Sequence, residues 1–375
     1  MQIQAFKLER YFAKYEFQVE HLLSSSDCES LPIQDLLAMA DASSLELWQQ
    51  LSLGYTESKG HPLLREEIAS LYPGLTADDV VVAVPAEAIF LGLNAILHQG
   101  DHVIITYPAY QSLYEIPRTL GCQVTNWPLE LKDGKWALNL DFLENSITPN
   151  TKLLIINFPH NPTGYLPAGN ELDKIIDIAR RHNLYIFSDE MYRLSEYNPA
   201  DRLEPVGGYY EKGISLSGLS KTFGLPGLRI GWLATGDKEL MDKFSTLKDY
   251  TTICSSAPSE ILSIIALRAK DALIRRNLQI IGDNLALAAD FFSKHHDLFT
   301  WIPPQAGSVA FPELKTNLPV EKFCEDVVEK KNVMVLPGTV FDFQGNHFRV
   351  GLGRKGLPLA LKRLGEYIAE LGTVK

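Results

Sequence analysis

Cysteine is scarce: the 375 residues hold four, Cys28, Cys122, Cys254 and Cys324, scattered and without a Cys-x-x-Cys pair or a histidine at ligand spacing. That scatter argues against a disulfide framework and against a metal centre, and it fits reduced thiols in the cytoplasm. Long apolar runs are also missing. No segment approaches the ~18 consecutive apolar residues that a membrane helix requires. The first ten residues carry Lys7, Glu9 and Arg10 and lack the apolar stretch of a signal peptide. No membrane partner is expected. Basic charge is outweighed, with 35 Lys and Arg against 46 Asp and Glu and a formal net charge of −11. Such a chain is a poor partner for nucleic acid or an anionic bilayer, although a local pocket for a small anion stays open. Internal repeats, low-complexity tracts and Gly/Ser linkers are absent as well.

What is present is ordinary globular composition, with 46% hydrophobic and 22% charged residues. The length exceeds what one core usually supports, which predicts a large domain and a smaller one. From about Asp78 to Thr235, short apolar runs recur at Val80–Val84, His102–Thr106, Gln123–Trp127, Lys152–Asn157, Leu184–Ser188, Ile214–Ser217 and Ile230–Ala234. Amphipathic stretches such as Ala86–Leu97, Gln111–Leu120 and Asn170–Arg181 lie between several of them. Buried strands alternating with helices predict an α/β domain with a mainly parallel central sheet covered on both faces. After Gly236 helical periodicity dominates to Leu298, followed by short strands at Val309–Phe311, Val333–Leu336 and Phe348–Gly351 and a closing helix at Leu357–Leu371. The expected division is a large domain over 46–263 and a small α+β domain made of 1–45 together with 264–375.

The chemistry concentrates around Lys221, in the run Ser-Gly-Leu-Ser-Lys-Thr-Phe-Gly-Leu-Pro-Gly-Leu-Arg-Ile-Gly-Trp, residues 217–232. An isolated lysine is usually a surface charge. Here Ser215–Leu219 and Thr222–Gly231 carry no charge except Arg229, so Lys221 should face a partly desolvated pocket. Burial lowers a lysine pKa and frees a nucleophilic amine. Arg229, eight residues on, offers a planar donor fork suited to a phosphate. The run S-K-T-F-G-L-P-G-L-R-I-G-W is similar to the lysine signature of the aminotransferase class I/II family, pyridoxal-phosphate (PLP) enzymes of fold type I. The resemblance spans essentially the whole chain. It implies that Lys221 holds PLP as a Schiff base and that Arg229 contacts the phosphate.

Other segments acquire roles through the same resemblance. Asn-Phe-Pro-His-Asn-Pro-Thr-Gly, residues 157–164, reads by its own chemistry as a turn closing a strand. In the family the matching asparagine, Asn161, bonds the phenolic oxygen of the cofactor and approaches the substrate carboxylate. Asp189, in Ser188–Tyr192, ends an apolar strand where open α/β sheets place their ligands. The resemblance makes Asp189 the partner of the ring nitrogen and Tyr192 a donor to the phenolic oxygen. It also stacks Tyr110 on the ring and sends Tyr55 to the phosphate of a neighbouring subunit, which implies a homodimer with shared sites. Arg349, flanked by apolar residues, is costly to bury without an anionic partner. It matches the arginine that grips the substrate α-carboxylate. The implied reaction moves the amino group of an L-α-amino acid to a 2-oxo acid. Other PLP reactions on the same scaffold (oxidation or hydroxylation, cyclisation, elimination, decarboxylation) and a non-catalytic PLP-binding regulator remain as alternatives.

The phosphate end departs from the family pattern. In place of a small-residue turn stands Val84-Pro85-Ala86-Glu87-Ala88, where Pro85 has no N–H and Glu87 brings negative charge. Gly218 occupies a position that is often serine. Phosphate binding is therefore expected to draw on Arg229, the helix amides near Ala86 and Glu87, Ser220 or Ser217, and the second subunit. Around Thr251 there is no arginine of the kind that binds dicarboxylate substrates. Asp27 and Glu29 suggest a basic or polar substrate side chain.

Overall fold

The computed structural model describes residues 2–373. The apolar runs between Val80 and Ala234 assemble into one eight-stranded sheet. Its strands are β1 (Val80–Ala83), β2 (His102–Tyr107), β3 (Gln123–Lys132), β4 (Lys135–Leu138), β5 (Thr151–Asn157), β6 (Tyr185–Asp189), β7 (Gly213–Gly218) and β8 (Gly231–Ala234). They lie in the order β1-β8-β7-β6-β5-β2-β3-β4. The five strands from β7 to β3 are parallel, whereas β1 and β7 run antiparallel to β8, and β4 antiparallel to β3. The parallel interior follows from composition. Val103–Ile105, Leu153–Ile156 and Ile186–Phe187 are fully buried, so both faces of these strands must be covered. The fold is the expected α/β class, with a mainly parallel central sheet.

One hairpin was not anticipated. β3 runs ten residues rather than stopping at Trp127, and β4 returns along it. Asp133 and Gly134 between them take φ of 51° and 74°, the two positive values a tight two-residue hairpin turn demands. The Asp-Gly pair was the available signal.

A second core unites distant segments. Leu23 and Cys28 pack with Ile281, Phe292, Phe348 and Leu364. Above it lies a three-stranded sheet with Phe348–Gly351 in the middle, flanked by Val309–Ala310 and Leu336–Pro337. The run expected as one strand, Val333–Leu336, is split. Val333–Met334 pairs instead with His21–Leu22. The border drawn between 263 and 264 falls inside a continuous helix, Ala257–Arg268. Ile264, Ile265 and Leu267 of that helix pack with Val80 and Trp232 of the large sheet, as does Leu36 from the N-terminal segment. Leu273 and Ile274 of the next helix pack there as well, and Ile281 is the first residue after them in the second core.

Two helices position the site. α1 (Lys7–Tyr15) docks through Leu8 on Leu336, Val340 and Phe341. α2 (Pro85–Ile96) begins immediately after β1 with proline in its first turn, where the missing N–H costs nothing. Among the described residues all four cysteines are free, no helix is long and apolar enough to cross a membrane, and no acidic or Cys/His cluster suits a metal.

Candidate active site

A cavity of about 320 Å³ lies between the carboxyl ends of the parallel strands, the start of α2 and the inner face of α1. It brings together Lys221, Asp189, Tyr192, Asn161, Arg229, Tyr110, Ala86, Ser220 and Arg349, which are all the expected site residues except Glu87 and Tyr55.

Lys221 follows β7 on a turn closed by the Gly224 N–H, which donates to the Lys221 carbonyl at 3.0 Å. Its Nζ donates to Ser26 Oγ at 2.9 Å. Burial lowers its pKa, Asp27 opposes that shift, and Arg349 adds to it. Asp189 ends β6 and is 6% exposed. Burial pushes its carboxyl up to about 7, against the Met191 N–H and Lys221, which pull it down. The Met191 N–H donates to Oδ1 at 3.2 Å, and no lysine or arginine among the described residues stands within ion-pair distance. A protonated ring nitrogen would supply the missing cation.

Asn157, unmarked by sequence reasoning as a site residue, ties the strand ends together. Its Nδ2 donates to the Asp189 carbonyl at 2.8 Å, and its Oδ1 accepts the Asn161 N–H at 2.8 Å. The Asn161–Pro162 peptide is cis, as are Tyr107–Pro108 and Phe158–Pro159. Asn161 Oδ1 accepts from Arg349 Nη1 at 3.1 Å. Arg349 sits on the middle strand of the small sheet and is 1% exposed. Its Nε and Nη2 donate to the Ser24 carbonyl at 3.1 and 2.9 Å. Among the described residues no carboxylate pairs with it: a carbonyl and an amide hold the guanidinium, which leaves its charge for a ligand, as expected of an arginine that grips a substrate carboxylate.

The hydroxyls of Tyr192 and Ser220 are buried, and among the described residues Ser220 Oγ has no hydrogen-bond partner while the Tyr192 hydroxyl has only Ser26 beside it. Buried polar atoms rarely stay unpaired, so an acceptor belonging to a bound group fits there. Tyr110 lines the cavity, with its ring 4.8 Å from that of Phe6 and its hydroxyl donating to Glu9 at 3.1 Å. Arg229 stands exposed at the rim, with φ of 54° and Nη1 donating to the Pro226 carbonyl at 2.8 Å. A non-glycine residue held in the left-handed region is strained, and such residues gather at functional sites.

The phosphate end is where the expectations change most. The first turn of α2 still presents free N–H groups beside Ala86. The Glu87 side chain, however, turns out of the cavity. It accepts from the Val84 N–H at 3.2 Å and from the Thr251 and Thr252 hydroxyls, at 2.8 Å for Thr252. Its negative charge is thus withdrawn from the place a phosphate would occupy. Tyr55 is 91% exposed and lies in a surface groove with Leu53, Cys254 and Pro258, away from the cavity of its own chain. Glu29 also lies outside, where it accepts the Lys355 N–H at 2.9 Å. Asp27 does line the cavity and pairs with Arg354 at 2.7 Å. Sequence reasoning missed Glu9, Glu16 and Ser26, although Leu8, Phe12 and Glu16 at helical spacing already traced a single face of α1.

The donor set therefore suits PLP: a buried carboxylate for the ring nitrogen, buried hydroxyls, a helix N-terminus with an arginine for the phosphate, and a desolvated lysine amine. Comparison with known proteins agrees. Capreomycidine synthase of Streptomyces vinaceus is 28% identical over 371 residues, covering 98% of this chain and 93% of its own. A PLP-dependent aminotransferase structure from Streptococcus suis superposes with a TM-score of 0.92 at 29% identity, covering 99% of both chains. The structure of the PLP-dependent cyclase OrfR superposes with a TM-score of 0.89 at 30% identity, covering 99% of this chain and 98% of the other. Residues 22–357 match the aminotransferase class I and II family, so the chain belongs to that family and its cofactor is pyridoxal phosphate.

Proposed function

We propose that this protein transfers the amino group of an L-α-amino acid to a 2-oxo acid, with Lys221 as the residue that holds the cofactor. The observation that carries this reading is the convergence of Lys221, Asp189 and Arg349 on one cavity. PLP, when bound, supplies the electron sink that stabilises negative charge at the substrate Cα. Asp189 holds the ring nitrogen in its protonated form, and Tyr192 and Asn161 hold the phenolic oxygen. Tyr110 flanks the ring, while Arg229, Ser220 and the first-turn N–H groups at Ala86 hold the phosphate. Arg349 and Asn161 fix the substrate carboxylate, which turns the Cα–H bond toward Lys221. The lowered pKa of Lys221 keeps its amine available to take that proton and return it.

The exposure of Tyr55, with Leu53 at 84% and Tyr250 at 87%, supports a homodimer in which Tyr55 reaches the other subunit's phosphate. The acidic charge and free thiols support a cytoplasmic setting. Lys221→Ala is expected to abolish both the cofactor absorbance of the Schiff base and turnover. A variant retaining both overturns the assignment.

A second reading is favoured by one observation: capreomycidine synthase and the cyclase OrfR match this chain almost from end to end. On that reading the substrate is rearranged to a ring and its nitrogen is not handed on. Incubation of the holoenzyme with amino acids and either pyruvate or 2-oxoglutarate separates the two. Formation of alanine or glutamate supports transfer, and consumption of the amino acid without it, and without release of ammonia or carbon dioxide, supports cyclisation.

A further inference from the structure

The cavity is electrically lopsided. Arg349 is 1% exposed and has no carboxylate partner among the described residues, so it calls for an anionic ligand group. The same cavity is lined by Glu9 of α1, by Glu16 just after that helix and by Asp27 farther along the chain. These carboxylates feel one another: the Glu16 carboxyl is raised first by burial and then by Asp27 and Glu9, against Arg354 and Lys221, which pull it down. Only Asp27 has a cation, Arg354, at ion-pair distance. Glu9 accepts a neutral phenol, Tyr110, and the Glu16 carboxylate has no hydrogen-bond or ion-pair partner among the described residues.

Holding Glu9 and Glu16 half-buried with no cation at ion-pair distance costs free energy. The α-amino group of a substrate does not offset that cost, because on the proposed function it is engaged at Lys221. The cofactor does not either, since its phosphate lies at Arg229 and its ring nitrogen at Asp189. A cation that pairs directly with Glu9 and Glu16 then comes from the remaining part of the substrate. The hydroxyls of Tyr192 and Ser220, residues 3% and 6% exposed, are taken up by the cofactor on that reading and leave this balance unchanged. A carboxylate at Arg349 and a cation among Glu9, Glu16 and Asp27 describe one molecule.

Resting on the proposed function above, we propose that the substrate is an L-α-amino acid with a positively charged side chain, an ammonium or guanidinium held among Glu9, Glu16 and Asp27. Dicarboxylic amino acids are disfavoured by the same carboxylates. Glu16 acts as a specificity determinant, because its carboxylate lines the cavity with no hydrogen-bond or ion-pair partner among the described residues.

The test is equilibrium titration of the purified holoenzyme, following the absorbance change of the bound cofactor. Probes are L-ornithine, L-lysine, L-arginine, L-norleucine and L-glutamate. At least one cationic amino acid should bind roughly tenfold or more tightly than norleucine, with glutamate weakest. Glu16→Gln should narrow the ratio between cationic and neutral ligands, and Glu16→Lys should shift preference toward glutamate. Thermal melting confirms that the variants fold, and the wild-type ranking needs no variant. Norleucine or glutamate binding as tightly as every cationic probe overturns this inference but leaves the proposed function intact. A holoenzyme that responds spectrally to no amino acid overturns both.

Discussion

Pro85 and Gly218 occupy one shared space: a Cβ built on Gly218 would stand 3.2 Å from Pro85 Cγ, and 2.9 Å from the Cα of Gly231. The two departures at the phosphate end therefore meet in space: the backbone of Ile230 and Gly231 and the pyrrolidine ring together fill the volume that a side chain at 218 would need. Overpacking a filled site costs ~1–3 kcal/mol. Gly218→Ser should lower the melting temperature and weaken PLP binding. Pro85→Ala removes one of the contacts, so the double variant should recover part of the loss, with a coupling of about 0.5 kcal/mol or more. Strict additivity in chemical denaturation of the four proteins would show that the two residues are independent.

Glu87 offers a second check on the same corner. Its carboxylate is held away from the cavity by Thr251 and Thr252. Replacing both threonines with valine frees it to swing toward the N-terminus of α2, where it competes with the phosphate for the helix amides. Titration of the cofactor-free protein with PLP should then give a several-fold higher Kd. Adding Glu87→Gln should restore it. An unchanged Kd in the threonine variant would remove the latch from the account.

Lys221 was legible because its setting is local: an uncharged, glycine-rich run straddles it within a few residues. The sheet was legible for the same reason, since each strand is a contiguous apolar run. What stayed hidden depends on distant partners. Ser26 meets Lys221 across 195 positions, and Ser24 meets Arg349 across 325. The direction of the Glu87 side chain is decided by hydroxyls 164 and 165 positions away. The charge of Glu87 could be read from sequence, but where that charge points could not. Glu9 and Glu16 look like the solvated face of an amphipathic helix until the chain folds α1 over the cavity.

Asp189 predicts a pH-dependent stability in the cofactor-free protein. A free aspartate titrates near 3.9, whereas burial holds this one at about 7. Ionising it is harder in the folded state, so the penalty is absent below about pH 4, grows between 4 and 7, and is full above 7. Asp189→Asn removes the ionisable group. The cofactor-free variant should be more stable than wild type at pH 8, by up to about 4 kcal/mol, with the difference narrowing as pH falls toward 5. With PLP bound the order should reverse, because the ring nitrogen then supplies a cation to the carboxylate. A difference that does not change with pH in paired melting curves contradicts the assignment of the shift to Asp189.

Arg349 gives the sharpest separation of substrate binding from cofactor binding. Its guanidinium already donates to the Ser24 carbonyl through Nε and Nη2 and to Asn161 through Nη1. Five N–H donors in a rigid plane let it keep those contacts while presenting a fork to a carboxylate. Lysine keeps the charge but loses the plane, so Arg349→Lys cannot hold Ser24, Asn161 and a substrate carboxylate together. Neither Lys221 nor Asp189 depends on Arg349 for a hydrogen bond. The variant should therefore load PLP with unaltered absorbance, yet its KM for amino acids should rise on the order of 100-fold, equivalent to about 2.7 kcal/mol. The kcat should fall less, because the electron sink and the proton-transferring lysine are both retained. If KM stays within a factor of about two, the substrate carboxylate is bound elsewhere, and the orientation of Cα toward Lys221 must then be rebuilt around another cation.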